Sequence, residues 1–209
     1  MDIQKRDKER SGMLERYLPG GALRAVEGEG NERKFTLSFS SEEPYDRWWG
    51  TEILSHADDA VDLMRLNSIG CVLFNHHADK VVGKIISAKV EDGRGIAESE
   101  FDDDEASEVI SKTGSSGTLK GGSVGYMVDE WEDVNEGKKS DDGRFEGPCS
   151  IATKWMPYEV SIVSIPADPT VGVGRSHEKE TENKGVSGFY YYEKQLQINN
   201  NLLKEVKSK

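Results

Sequence analysis

Apolar residues in this chain recur mostly at every second position rather than every third or fourth. In "KFTLSFSSE", Phe35, Leu37 and Phe39 fall on one side of an extended chain and polar residues on the other, the pattern of a half-buried strand. The continuous apolar run "IGCVLFN" reads as a buried strand. After it, "KVVGKIISAKVED" and "GRGIAESEF" read as two strands joined through Asp92 and Gly93, a strong signal for a tight hairpin. "YMVDEW" and "CSIATKWMPYEVSIV" are strand-like, and "PYDRWWGTEIL" reads as a turn leading into a strand. Helical spacing appears twice. "HADDAVDLMRLNSIG" places Val61, Met64 and Leu66 at roughly helical intervals and ends near Gly70. "DDDEASEVISKTG" is the clearest helix, with aspartates to cap its start and Gly114 to stop it. Six or seven strands, mostly consecutive and hairpin-like, with two helices, predict an α+β, strand-dominated chain. The expected architecture is a mainly antiparallel β-barrel or sandwich with surrounding helices, not a series of βαβ units.

Composition adds boundaries to this picture. The 209 residues suffice for one domain with tails. Residues 1–30 are charged and glycine-rich and read as a flexible N-terminal segment, residues 31–175 as the folded domain, and residues 176–209 as a polar linker and tail. Residues 133–148 form a polar loop. A formal net charge of −12 argues against nucleic acid as a partner, because phosphate binding needs clustered Lys and Arg. No apolar run is long enough to span a bilayer, and the charged N-terminus lacks the apolar stretch of a signal peptide, so no membrane partner is expected. Cys71 and Cys149 have no CxxC spacing and are expected to be reduced thiols.

Three stretches combine reactive side chains with rigid placement. "FNHHADKVVG" puts His76 and His77 where a buried strand gives way to a loop, a suitable seat for a general base and equally for a pair of surface or capping histidines. "KGGSVGY" sets Ser123 among Gly121, Gly122, Val124 and Gly125. Glycines let N–H groups converge on an oxyanion, and they also make an ordinary turn before a strand. The segment spells GxSxG, but a strand follows it where a nucleophile elbow needs a helix. It is no phosphate-binding GxxxxGK[ST] either. In "WMPYEVSIVSIPADP", Glu159 and Ser161 share one strand face, with Val160 and Ile162 on the other. A carboxylate there either meets a histidine or faces solvent. Adjacent histidines on an extended segment diverge, and no HExxH or Cys/His cluster is present, so neither a metal nor a cofactor is expected.

Taken in order, "NHHADKVVG", "SVGY" and "EVSIVSIPA", followed by "PADPTVGVGR", resemble the tailed-phage prohead protease family, serine proteases that mature phage capsids. The likeness covers some two thirds of the chain. It implies a fold like the herpesvirus assembly protease, with Ser123 as nucleophile, His76 as general base and Glu159 as the acid that orients the histidine. His77 falls where the family usually has aspartate, and His56 is a lower-ranked alternative for the third member. Backbone N–H groups of Gly121, Gly122 or Val124 are the oxyanion candidates. The implied substrates are the major capsid protein, the scaffolding protein and the protease itself, with self-association as a further option, inside the assembling procapsid in the host cytoplasm. Activity is expected to fall as His76 is protonated below about pH 6. The competing expectation is an inactive capsid or scaffold component of the same fold. A metallohydrolase ranks third.

Overall fold

The computed structural model describes residue 10 and residues 12–18, 23–26 and 28–164. The strands are β1 Leu14–Leu18, β2 Leu23–Ala25, β3 Lys34–Ser41, β4 Tyr45–Arg47, β5 Gly50–Leu54, β6 Cys71–Phe74, β7 His77–Glu91, β8 Arg94–Phe101, β9 Gly121–Val134 and β10 Cys149–Val163. The helices are α1 Met64–Ile69 and α2 Glu105–Ser115. All ten strands join one sheet in the order β1-β9-β10-β6-β7-β8-β3-β2, with β5 also paired to β10 and β4 beyond it. Two of these strands, β1 and β2, lie within the segment expected to be flexible. Residues 1–9, 11, 19–22 and 27 of that segment, the end of the expected domain from residue 165 to 175, and the expected tail 176–209 lie outside the described residues.

The expected strand-dominated, mainly antiparallel sheet is present, and two points set it apart from a simple antiparallel barrel. Seven strand pairings are antiparallel, but β5 and β6 both run parallel to β10. The chain leaves β10 after β5, detours through α1 and returns to the same edge in the same direction, pairing first at Ser150–Ala152 and then at Val160–Ile162. Short-range pattern cannot show this, because β5 and β6 precede β10 by about a hundred residues of sequence. Second, β1 and β2 end the strand path without pairing to each other. The sheet is a curled half-barrel in which β3 comes to lie beside β1 and β9.

The curl encloses a core drawn from both halves. Phe35, Leu37 and Phe39 of β3 are buried, as the alternation required, with Val124 and Tyr126 of β9 and Val160 and Ile162 of β10. Each such side chain contributes about 1.5–3 kcal/mol by leaving water. Asp92 and Gly93 make the expected hairpin, both at positive φ, and Glu91 pairs with Arg94. At α2, Asp104 accepts from the N–H groups of Ala106 and Ser107, a side-chain N-cap. The helix runs past Gly114, however. Gly117, at φ 76°, supplies the left-handed stop, and Gly114 is small because Leu23 lies 2.5 Å from where its Cβ would be. The first predicted helix is shorter than expected, because Val61 bridges to Trp155 as extended chain. No helix among the described residues is long and apolar enough to cross a membrane.

Candidate active site

Asn75 and His76 form the whole connection between β6 and β7, since Phe74 pairs directly with His77. Both have positive φ, 53° and 59°. That is the signature of a type I′ hairpin turn, which prefers Asn then Gly. Asn75 suits its place, and its Oδ1 accepts from the Ser164 N–H at 2.9 Å. Its own N–H donates to the Ile162 carbonyl, so the turn is clipped to the end of β10. His76 occupies the glycine position, at a strain of about 1–2 kcal/mol. The two histidines do separate, but not through strand alternation: His76 sits in the turn and His77 opens β7, exposed.

Ser123 and Glu159 come from neighbouring strands. On β9, Val124 and Tyr126 point into the core, which leaves Ser123 and Gly125 on the opposite face. On β10 the register slips between Pro157 and Glu159, so Tyr158 and Glu159 together oppose Gly125. This bulge aims Glu159 onto the Ser123 face. The Tyr158 carbonyl accepts from Arg65 Nε at 3.1 Å, and the Arg65 guanidinium lies over the Tyr158 ring. Gly125 is glycine for a steric reason. A Cβ there would lie 2.6 Å from Glu159 Oε1.

The three predicted residues meet. His76 Nε2 is 2.7 Å from Ser123 Oγ, and His76 Nδ1 is 2.5 Å from Glu159 Oε1. Because the carboxylate only accepts, Nδ1 carries the proton and Nε2 is left to face the serine. Burial alone would lower the His76 pKa, but the hydrogen bond and charge of Glu159, with Glu15 adding to them, outweigh it and raise the pKa above 6.5. The expected acid limb near pH 6 therefore moves upward. Gly125→Ala should push Glu159 off Nδ1 and bring the His76 titration back down. An NMR titration checks this, and an unchanged midpoint would contradict the steric account.

Ser123 Oγ also lies 2.9 Å from the Arg16 carbonyl oxygen of β1, as a donor. One hydroxyl proton cannot serve both acceptors. With neutral His76 it can turn to Nε2. With protonated His76 the ring donates to Oγ and the hydroxyl turns to Arg16. β1 further places Tyr17 edge-on to the His76 ring at 5.6 Å and Glu15 at 3.9 Å from Nε2. Sequence reading missed these groups, because "LERYL" lies in a charged stretch, although its alternation of Leu14, Arg16 and Leu18 against Glu15 and Tyr17 was a strand signal.

The oxyanion candidates are ordinary strand residues. Gly122 pairs with Leu18 and Ile162, and Val124 with Arg16 and Val160. Gly121 pairs with Val163 and lies one residue past the last β1 pair. The lower-ranked third member is placed elsewhere: His56 Nδ1 donates to the Leu54 carbonyl at 3.0 Å, and Nε2 accepts from buried Ser40 at 2.7 Å. Burial pushes its pKa down to about 4, which keeps this structural histidine neutral. Among the described residues, no group of three or more His, Cys, Asp or Glu is placed to hold a metal ion.

Comparison with known proteins bears on this arrangement. Residues 43–184 match the family described as caudovirus prohead serine protease. A protein named major capsid protein, from Halomonas phage phiHAP-1, is 33% identical over 156 residues, which is 73% of this chain. The chain spans a quarter of that relative's length, 25%. No solved structure matches.

Proposed function

From the premise that this chain belongs to the caudovirus prohead serine protease family, we propose that it is a serine endopeptidase of capsid maturation acting through Ser123, His76 and Glu159. The observation that carries the reading is the unbroken line of contacts from Glu159 Oε1 through both His76 nitrogens to Ser123 Oγ. His76 takes the serine proton as Oγ attacks a peptide carbonyl, and returns it to the leaving amine. Glu159 fixes the tautomer and stabilises the imidazolium. Water then hydrolyses the acyl-enzyme by the same base. Gly121, Gly122 and Val124 remain the oxyanion candidates, their backbone N–H groups lying within two residues of Ser123. The proposed fold relation is to the herpesvirus assembly protease.

The proposed substrates are scaffolding protein, or the scaffolding segment of the major capsid protein, and the enzyme itself, within the procapsid in the host cytoplasm. A relative that carries a similar stretch within a protein named major capsid protein supports a capsid polypeptide as substrate. The test is co-expression with that polypeptide. Ser123→Ala and His76→Ala should each abolish cleavage on a gel, and His77→Ala should leave most of it. A reactive-serine probe should label Ser123 in the native chain. Absence of labelling, with cleavage persisting in Ser123→Ala, would leave the inactive capsid or scaffold component as the better reading.

The pH profile of the working enzyme is a second check. Neutral His76 is the active form, so the rate should rise with pH through a midpoint above 6.5. Glu159→Gln should move that midpoint down, because burial is then opposed only by the smaller effect of the Glu15 charge.

A further inference from the structure

Ser161 is fully buried on β10, directly across from Ser123 and two residues beyond Glu159. Its hydroxyl touches two parts of the proposed site. Oγ lies 2.8 Å from Glu159 Oε2 and 3.2 Å from the backbone nitrogen of His76. The directions are forced. The His76 N–H can only donate, so the hydroxyl accepts there. The carboxylate only accepts, so the hydroxyl proton goes to Oε2. That leaves Oε1 for His76 Nδ1. The His76 N–H belongs to the second central residue of the hairpin turn, where no strand partner is available to it. Without Ser161 it would be an unpaired donor on a strained residue.

We propose that Ser161 is a positioning residue of the site: one hydroxyl that locks the rotation of the Glu159 carboxylate to the backbone of His76. The inference rests on the serine-endopeptidase reading and deepens it. Ser161 does not reach the reacting atoms. It sets where the orienting carboxylate and the base stand relative to each other, and a displacement of about 1 Å in such a pair lowers rate on the order of 100-fold.

The experiment uses the full chain and a co-expressed or purified capsid polypeptide. Ser161→Ala should lower kcat by about 10- to 100-fold with KM nearly unchanged, and the His76 Nδ1 proton should shift in the NMR spectrum. Ser161→Cys keeps the side-chain volume while weakening the hydrogen bonds, and should fall with Ala. The decisive arm is a double-mutant cycle. If Ser161 acts through Glu159, adding Ser161→Ala to Glu159→Gln should cost less than about threefold more. An equal loss in both backgrounds, or kcat within about twofold of the native chain in Ser161→Ala and Ser161→Cys, overturns the assignment. Cleavage lost in Ser123→Ala but running within about twofold of the native rate in Ser161→Ala and Ser161→Cys sinks the Ser161 role alone. Cleavage retained in Ser123→Ala sinks both.

Discussion

His76→Gly should abolish cleavage and yet melt above His76→Ala. Under the proposed mechanism, loss of His76 removes on the order of 10⁴-fold or more of the rate in either variant. The two differ in the backbone. Position 76 has φ 59° and follows Asn75 at 53°, so the turn asks for glycine at its second residue. Alanine keeps the left-handed strain of about 1–2 kcal/mol and loses the bond to Glu159. Glycine loses the same bond and sheds the strain. For a chain of this size, 1 kcal/mol shifts the midpoint by about 2–4 °C. Set against the roughly 0.5–1 kcal/mol that glycine costs in conformational entropy, the relieved strain leaves an expected separation of a few °C at most in a thermal melt. At an ordinary strand or helix position alanine would be the more stable of the two. An alanine variant that melts at or above the glycine variant would therefore show that residue 76 is not held in this conformation. The pairing of lost function with recovered backbone stability is what a strained catalytic turn should give.

This turn also shows how far sequence could go. "NHH" and the order of the three segments point to His76, Ser123 and Glu159, His76 being the histidine that follows Asn75, while strand alternation predicts only that His77 turns to the opposite face. The real cause of their separation is a two-residue turn with histidine where glycine is usual, and no turn signal reads "NH". The local strands were legible wherever burial is one-sided, as in β3 and β8, because period two is a direct consequence of the pleat. What could not be read were features set by distant pairing: the parallel contacts of β10 and the curl that leaves the sheet open. The bulge at Tyr158 belongs here too. Without it, the alternation of "MPYEVSIV" and its partner strand would not stay in step. Gly125 was visible only as part of a glycine-rich segment, and its purpose appears once Glu159 is placed beside it. Ser161, by contrast, was within reach, since Glu159 and Ser161 stand two apart on a strand and must share a face.

The largest loss of stability is expected from a residue that neither pattern nor motif singled out. Glu52 of β5 is wholly buried among Arg16 of β1, Arg47 of β4 and Tyr126 of β9. Its carboxylate accepts from Arg47 Nε at 3.2 Å and Nη2 at 3.3 Å, and from the Tyr126 hydroxyl. Arg47 Nη2 also donates to that hydroxyl at 2.7 Å. Arg16 donates to the Glu43 carbonyl and holds Nη1 at 4.0 Å from Glu52, with no hydrogen bond of its own at that nitrogen. Burial lowers the Arg16 pKa, and Glu52 opposes that. Burial, with the charge of Glu52, holds Tyr126 well above its ordinary value, so its hydroxyl keeps the proton it donates. Glu52→Ala would leave two buried guanidinium groups without their carboxylate. Removing one partner of such a group typically costs about 3–5 kcal/mol, a fall of about 10 °C in the midpoint at this chain length. Glu52→Gln keeps the shape and part of the hydrogen bonding, and should fall between the two. Glu108→Ala, which removes an exposed pair with Lys112 on α2, should leave the midpoint where it is. The network matters beyond its energy. It ties β1, which carries Glu15 and Tyr17 against His76, to the strand that carries Ser123 three residues before Tyr126. Cleavage by Glu52→Ala should therefore drop even at temperatures where the variant remains folded by circular dichroism. Full cleavage in a folded Glu52→Ala would show that β1 does not help set the site.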